Sequence, residues 1–176
     1  YRAILRLSSL TPLDRAEALL GAADVCRLQG KFTSSIADYR RAQALYDRVS
    51  SPRSMDARTG LSLALRGVGR PPEALVLLKR ALKHYQSDGD LDGVAFAHWA
   101  LGGTYRIAGD LKRGWVELKA ALDAFRASGD REGEAYTCCA IGGLARMRCD
   151  LAASSLFYRR ANVLMRKRKD LFGTAY

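Results

Sequence analysis

The sequence has few prolines and no long apolar run. Only 4 of its 176 residues are proline, while 48% are hydrophobic and 27% are charged, a composition typical of a folded globular chain. No stretch approaches the roughly 18 consecutive apolar residues that a membrane helix needs. A membrane partner is therefore not expected. No basic segment followed by an apolar one opens the sequence, but its first residue is Tyr1 and not Met, so export stays open as an alternative.

The cysteines are too few to predict a disulfide framework. Four are present, Cys26, Cys138, Cys139 and Cys149, and none belongs to a C-x-x-C pair. Disulfides are rare in reducing compartments, so a chain of this size without a disulfide scaffold is expected in the cytoplasm.

Acidic residues are scarce relative to basic ones. The chain has 18 Asp and Glu against 29 Lys and Arg, which gives a net charge of +11, and 22 of the basic residues are arginine. A basic surface raises the local concentration of anions, so an anionic partner is one explanation. Codon bias in a GC-rich genome is the other, and composition does not separate them.

The chain repeats itself about every 40 residues. One column holds Gly30, Gly69, Gly109 and Cys149, with spacings of 39, 40 and 40. A second column with the same spacings holds alanine: Ala42, Ala81, Ala121 and Ala161, with Ala3 another 39 residues upstream. Self-similarity at such a period is typical of helical repeat proteins.

Each repeat predicts two helices. Apolar and small residues recur at helical spacing in first helices over 15–29, 54–68, 92–108 and 132–148, and in second helices over 33–48, 72–86, 111–127 and 151–167. Asp110 and Asp150 stand where N-caps belong, because a short carboxylate accepts the unpaired N–H groups of a helix start. Pro71 and Pro72 open one second helix, where a missing N–H costs nothing.

The repeats resemble the tetratricopeptide repeat family, whose pattern is W-x2-L-G-x2-Y followed by A-x3-F. The third repeat has His98-x2-Leu101-Gly102-x2-Tyr105, then Gly114-x3-Leu118. The fourth has Cys138-x2-Ile141-Gly142-x2-Ala145, then Ser154-x3-Tyr158. The family's tryptophan is absent from all four repeats. The period of about 40 rather than 34 is similar to that of the family's long-repeat subclass.

The resemblance implies an all-α fold, a right-handed superhelical solenoid of antiparallel helix pairs. We expect one domain over 1–176, with full repeats at 12–51, 52–90, 91–130 and 131–170 and partial repeats at 1–11 and 171–176. A solenoid needs polar caps, and neither end supplies one, so we expect a fragment of a longer array. The alternative is self-association, in which another copy covers the uncapped ends.

The first helices line the concave surface in this family, so their outward residues are candidate partner contacts. In the third repeat these are Phe96, Trp99, Gly103 and Arg106, whose spacing of 3, 4 and 3 places them on one helix face. The fourth repeat has Tyr136, Cys139, Gly143 and Arg146 at the same positions. Aromatic rings and arginines are the usual anchors of binding surfaces. The alternative is that Phe96 and Trp99 only pack against the adjacent helix.

One arginine per repeat occupies the same column of this face: Arg27, Arg66, Arg106 and Arg146. A guanidinium group suits carboxylate or phosphate. Asp24 lies one turn before Arg27 and is placed to neutralise it, so solvation or intramolecular pairing is the alternative to ligand contact. A second basic column, Arg40, Lys79, Lys119 and Arg159, lies on the second helices, on the side expected to be convex and solvated.

The remaining chemistry-bearing residues predict no catalysis. We find no nucleophile–base pair, no phosphate-binding glycine loop and no paired carboxylates, so no enzyme activity, cofactor or metal is expected. His98 stands where the family has tryptophan, which predicts a buried structural histidine. Cys26, Cys138 and Cys149 fall in columns of small residues, which predicts packing rather than reactivity. The basic run at 166–169 complements the dipole of a helix C-terminus.

The leading hypothesis is a scaffold for protein–protein interaction. A partner peptide or helix with acidic groups is expected to bind in the concave groove. The alternative is a regulatory module of a larger bacterial protein that senses a ligand or peptide. Nucleic acid is disfavoured as a partner, because aromatic and basic residues do not alternate regularly across all the repeats.

Overall fold

A computed structural model of the chain describes residue 1, residues 3–6 and residues 9–167, apart from the side chains at 6 and 167. Within these ranges the regular structure is one short 3-10 helix, Ile4–Arg6, and eight α-helices. They are α1 Pro12–Leu28, α2 Phe32–Arg48, α3 Ser54–Gly67, α4 Pro71–Asp88, α5 Leu91–Ile107, α6 Leu111–Ser128, α7 Arg131–Met147 and α8 Leu151–Lys167. The predicted all-α class and the predicted helix pairs are confirmed.

Two compact units divide the chain, Tyr1–Ala81 (unit 1) and Leu82–Tyr176 (unit 2). In unit 1, α1 packs against α2 and α2 against α3. In unit 2, α5 packs against α6, α6 against α7 and α7 against α8. Short turns join these helices, so packed neighbours run antiparallel. The expected partial repeat at 171–176 and the basic residues Arg168 and Lys169 lie outside the described residues.

The alanine column lets the helices of each pair approach closely. Ala42, Ala81, Ala121 and Ala161 are all buried. In unit 2, Gly102 does the same for α5 and α6, because a Cβ there would lie 2.5 Å from Leu118 Cγ. Larger side chains such as Leu118 fill the space between the helices at the density of a protein interior.

The glycine column ends the first helix of each repeat in a left-handed backbone conformation. The φ angles are 73° at Gly30, 75° at Gly69, 82° at Gly109 and 61° at Cys149. Glycine adopts this conformation without strain, whereas a residue with a Cβ does not. Cys149 is exposed. The prediction that Cys149 packs in the core is therefore wrong. This repeat position requires a residue in the left-handed backbone conformation and lies at the surface in the fourth repeat.

Aspartates begin the helices of unit 2 as predicted. Asp110 accepts a hydrogen bond from the Arg113 N–H at 2.9 Å, and Asp150 accepts one from the Ala153 N–H at 2.9 Å. Asp90 and Asp130 cap α5 and α7 in the same way. The start of the chain differs from expectation. The sequence placed Ala3 in the alanine column of a partial repeat at 1–11, but residues 4–6 form a 3-10 turn and Ala3 is exposed.

Candidate functional site

The predicted contact residues of unit 2 lie on two first helices that pack against each other. Phe96, Trp99, Gly103 and Arg106 share one face of α5, and Tyr136, Gly143 and Arg146 share the corresponding face of α7; together we call them the α5–α7 face. The two helices are in contact. Arg106 of α5 donates a hydrogen bond from Nη1 to Met147 Sδ of α7 at 4.0 Å.

The three rings of the α5–α7 face differ in exposure. Phe96 and Tyr136 are each 36% exposed. Trp99 is half-buried and packs against both core clusters of unit 2, and its ring centroid lies 5.4 Å from that of Phe96. The alternative that Trp99 packs against neighbouring helices therefore holds for part of its surface. Phe96 and Tyr136 present the accessible aromatic surface.

The two glycines of this face are not equally open. Gly103 is buried, so it allows close packing rather than leaving space beneath the rings. Gly143 is half-buried, and a Cβ added there would lie 3.3 Å from Tyr158 Oη. Gly103, a predicted contact residue, therefore offers little accessible surface to a partner.

The arginines of the α5–α7 face have no acidic partner among the described residues. Arg106 is half-buried, and its Nε is buried without a hydrogen-bond partner. Arg146 is exposed, and no carboxylate in the described part of the chain lies within salt-bridge distance of it. A buried donor without a partner costs free energy.

The corresponding arginines of unit 1 are in a different environment. Arg27 donates from Nε to Tyr39 Oη at 3.1 Å and lies 3.6 Å from Asp24. The Tyr39 hydroxyl donates to Asp24 at 2.6 Å. Burial, and then this hydrogen bond to Asp24, raises the pKa of Tyr39 to about 12. Intramolecular pairing, one of the two predicted alternatives, is thus what Arg27 shows. Arg66 is half-buried on α3.

Unit 1 holds a pocket of about 360 Å³ beside α1. Its polar lining consists of three carboxylates, Asp14, Glu17 and Asp24, and the guanidinium group of Arg53. Arg53 forms ion pairs with Glu17 and, at 3.2 Å, with Asp56. The first-helix residues of unit 1 are therefore acidic and paired, unlike those of the α5–α7 face.

Sequence reasoning missed a buried carboxylate in unit 2. Glu134 is 0% exposed and accepts hydrogen bonds from Arg126 of α6, Arg131 of α7 and Arg160 of α8. Burial alone would raise the pKa of Glu134, but the hydrogen bonds from the three guanidinium groups outweigh it and hold the pKa below its usual range. The sequence did contain a sign that Glu134 is buried, because Glu134 occupies the repeat position that holds the apolar Val94 in the preceding repeat.

His98 also differs from expectation. It is half-buried rather than buried, and its Nδ1 lies 2.7 Å from Glu117 Oε2 of α6. The described residues contain no group of three or more His, Cys, Asp or Glu side chains that could hold a metal ion. Among the described helices, none combines the length and apolarity that crossing a membrane requires.

A family model covers the first two predicted repeats. The tetratricopeptide repeat model matches residues 14–87, and the predicted resemblance to this family is confirmed. The helix pairs that follow residue 87 continue the same arrangement. No curated protein sequence matches the chain.

Solved structures that share the fold include the following three. The apo form of RapI is 15% identical with a TM-score of 0.79, and the match covers 96% of this chain and 62% of that chain. A Rap protein complexed with Competence and Sporulation Factor is 18% identical with a TM-score of 0.84, and the match covers 91% and 45%. BtubC from P. vanneervenii is 18% identical with a TM-score of 0.74, and the match covers 93% and 68%.

The chain therefore spans less than two thirds of the length of either Rap structure. At these identities the likeness establishes the helical repeat fold. It does not carry over the activity of those proteins.

Proposed function

We propose that this tetratricopeptide repeat chain is an interaction scaffold that binds a peptide or helix of a partner protein on the α5–α7 face. The observation that carries the proposal is that Arg106 and Arg146, two cations on one face, have no acidic partner among the described residues. A carboxylate of the partner would accept from the guanidinium group of Arg106, and Arg146 supplies a second cation on the same face. Charge-assisted hydrogen bonds of this kind are stronger than neutral ones.

The rings of the same face account for the apolar part of the contact. Phe96 and Tyr136 each expose about a third of their surface, and Trp99 supports Phe96 from the core side. Large, partly ordered aromatic residues bury much area at low entropic cost, which makes them common anchors of interfaces. The proposed partner segment therefore combines an acidic group with an apolar side chain.

The test uses peptides selected from a random phage-displayed library on the immobilised chain. We expect the selected peptides to be rich in Asp or Glu beside an apolar residue. We also expect the double variant Arg106→Gln and Arg146→Gln to bind these peptides about tenfold more weakly or worse, because charge-assisted contacts are lost. Fluorescence anisotropy of a labelled peptide measures the affinity, and circular dichroism checks that helix content is unchanged.

The matched control is the double variant Arg40→Gln and Arg80→Gln, which removes the same charge from exposed positions on second helices. It should bind the selected peptides as the unaltered chain does. Equal losses in the two double variants would show that net charge alone attracts the peptide. Selection of peptides without acidic residues would contradict the proposal.

A sensor module is the second candidate function. The Rap protein that shares this fold was crystallised with Competence and Sporulation Factor, which supports ligand binding by such a scaffold. A sensor must change shape when its ligand binds, because a ligand shifts only an equilibrium between states that it binds differently. Small-angle scattering with and without a selected peptide separates the two. A changed profile favours the sensor, and an unchanged profile favours the scaffold.

A further inference from the structure

Two cations and two aromatic rings form a continuous cluster in unit 2, with three of the four residues on second helices and Arg148 on the turn between α7 and α8. The guanidinium carbon of Arg148 lies 5.0 Å from the ring centroid of Trp115 on α6. The rings of Trp115 and Phe157 on α8 are in T-shaped contact, with centroids 6.1 Å apart and an interplanar angle of 89°. The Nζ of Lys119 lies 5.9 Å from the Phe157 centroid. We call these four residues the α6–α8 cluster.

The cations of the α6–α8 cluster are positioned by rings and not by carboxylates. Within the described residues, neither Arg148 nor Lys119 has an acidic side chain within salt-bridge distance. The nearby acids are engaged elsewhere. Glu117 pairs with His98, and Asp150 caps α8. A cation over a ring keeps its N–H groups free for an acceptor, so the cluster presents preordered donors without a counter-charge.

Exposed aliphatic side chains lie beside the cations. Val116 of α6 is 62% exposed and Leu156 of α8 is 59% exposed. Each is followed one turn later by a basic residue, Lys119 and Arg159. The same apolar-then-basic pair therefore recurs on two second helices, because the two positions are 40 residues apart in the repeat.

We infer that the α6–α8 cluster, with Val116, Leu156 and Arg159, is a docking surface for an acidic segment of a partner protein. Carboxylates of that segment bind Arg148 and Lys119, and its aliphatic side chains pack on Val116 and Leu156. The surface differs from the α5–α7 face, because all its residues except Arg148 lie on the second helices α6 and α8. A partner that engages both surfaces would gain avidity from the linkage.

A nucleic acid fits this surface less well. Single-stranded nucleic acids bind through bases stacked on open aromatic faces. Here Trp115 and Phe157 pack against the core of unit 2 and also carry a cation on one face, which leaves little ring surface for a base. The exposed Val116 and Leu156 favour a partner with apolar side chains.

The test measures binding in the Arg106→Gln and Arg146→Gln background, so that the α5–α7 face does not contribute. The probe is a short labelled peptide that alternates glutamate pairs with leucine, compared with the same peptide carrying glutamine in place of glutamate. We expect only the acidic peptide to bind. Adding Arg148→Gln and Lys119→Gln should lower the affinity for the acidic peptide by about tenfold. Adding Leu156→Gln should lower that affinity to a smaller extent.

The control adds Arg40→Gln and Arg80→Gln to the same background and should leave the affinity unchanged. Parallel titrations use an oligothymidine strand and vesicles that contain phosphatidylserine. Preferential binding of either one through Arg148 and Lys119 would overturn the inference in favour of nucleic acid or membrane. Equal binding of the glutamate and glutamine peptides, or indifference to Arg148→Gln and Lys119→Gln, would also overturn it. None of these outcomes depends on the proposed function of the α5–α7 face.

Discussion

Arg160 of α8 donates two hydrogen bonds to one oxygen of Glu134 on α7. They run from Nε at 3.1 Å and from Nη2 at 2.6 Å. Arg126 of α6 donates to the same oxygen at 3.1 Å. The Glu134 side chain is only 1% exposed, so a single buried carboxylate ties three consecutive helices of unit 2 together.

Replacing Glu134 with glutamine should destabilise the protein. The variant keeps the shape of the side chain but removes the buried negative charge that Arg126, Arg131 and Arg160 share. We expect a loss of about 2 kcal/mol in the free energy of unfolding, because breaking a buried pair costs more than breaking an exposed one. Urea denaturation followed by circular dichroism measures it. Asp123→Asn is the matched control, since Asp123 pairs with the same Arg126 but is 66% exposed. Equal losses in the two variants would contradict the structural role of Glu134.

The contribution of Glu134 should depend on pH. Its pKa is lowered in the folded chain, so the carboxylate stabilises the fold at every pH above its unfolded-state pKa of about 4.3. That stabilisation is lost as the pH falls from the unfolded-state pKa through the folded-state pKa. The difference in unfolding free energy between the unaltered chain and Glu134→Gln should therefore be constant near neutral pH and shrink in acid. A difference that stays the same at low pH would show that charge is not its source.

Cys149→Gly should stabilise the protein. Cys149 has a φ of 61°, whereas the equivalent position of each other repeat is a glycine. The left-handed conformation costs a residue with a Cβ about 1 kcal/mol, and the substitution removes that cost. Thermal and urea denaturation measure the gain. Gly109→Ala is the converse variant and should lose a similar amount. If Cys149→Gly is neutral, the exposed thiol contributes a compensating contact.

The cysteines should react with thiol reagents at different rates. Cys138 is 0% exposed, and burial raises its pKa to about 11, so its thiol is both covered and protonated at neutral pH. Cys149 is exposed on a turn. Alkylation of the native protein followed by peptide mass mapping should label Cys149 first and Cys138 only after unfolding. Comparable labelling of both thiols without denaturant would show that the core around Cys138 opens readily.

Much of the fold was predictable because it depends on local signals. The helix pairs, the aspartate caps at Asp110 and Asp150 and the buried alanine column all follow from residues close together in the chain. Repetition reinforced these signals, since each appears in several copies at one spacing. The start of the chain was predicted less well, because a single residue, Ala3, was the evidence that linked this segment to the repeat.

The candidate site was predicted only in part. The helix faces of Phe96, Tyr136 and Arg146 followed from helical periodicity, which places residues three and four apart on one side. Periodicity alone did not show that Trp99 packs partly into the core, or that Arg27 is paired with an acidic residue while Arg106 has no acidic partner among the described residues. Those differences depend on which side chains of other helices come within contact distance.

The amino-acid order alone was enough to establish an array of helix pairs, since the period and the turns are encoded within each repeat. It did not reveal the Glu134 network or the stacking of Arg148 on Trp115. These contacts join residues up to several tens of positions apart, and only the packing of helices brings them together. Packing distances decide which charges are neutralised, and hence which surfaces of this protein remain available to a partner.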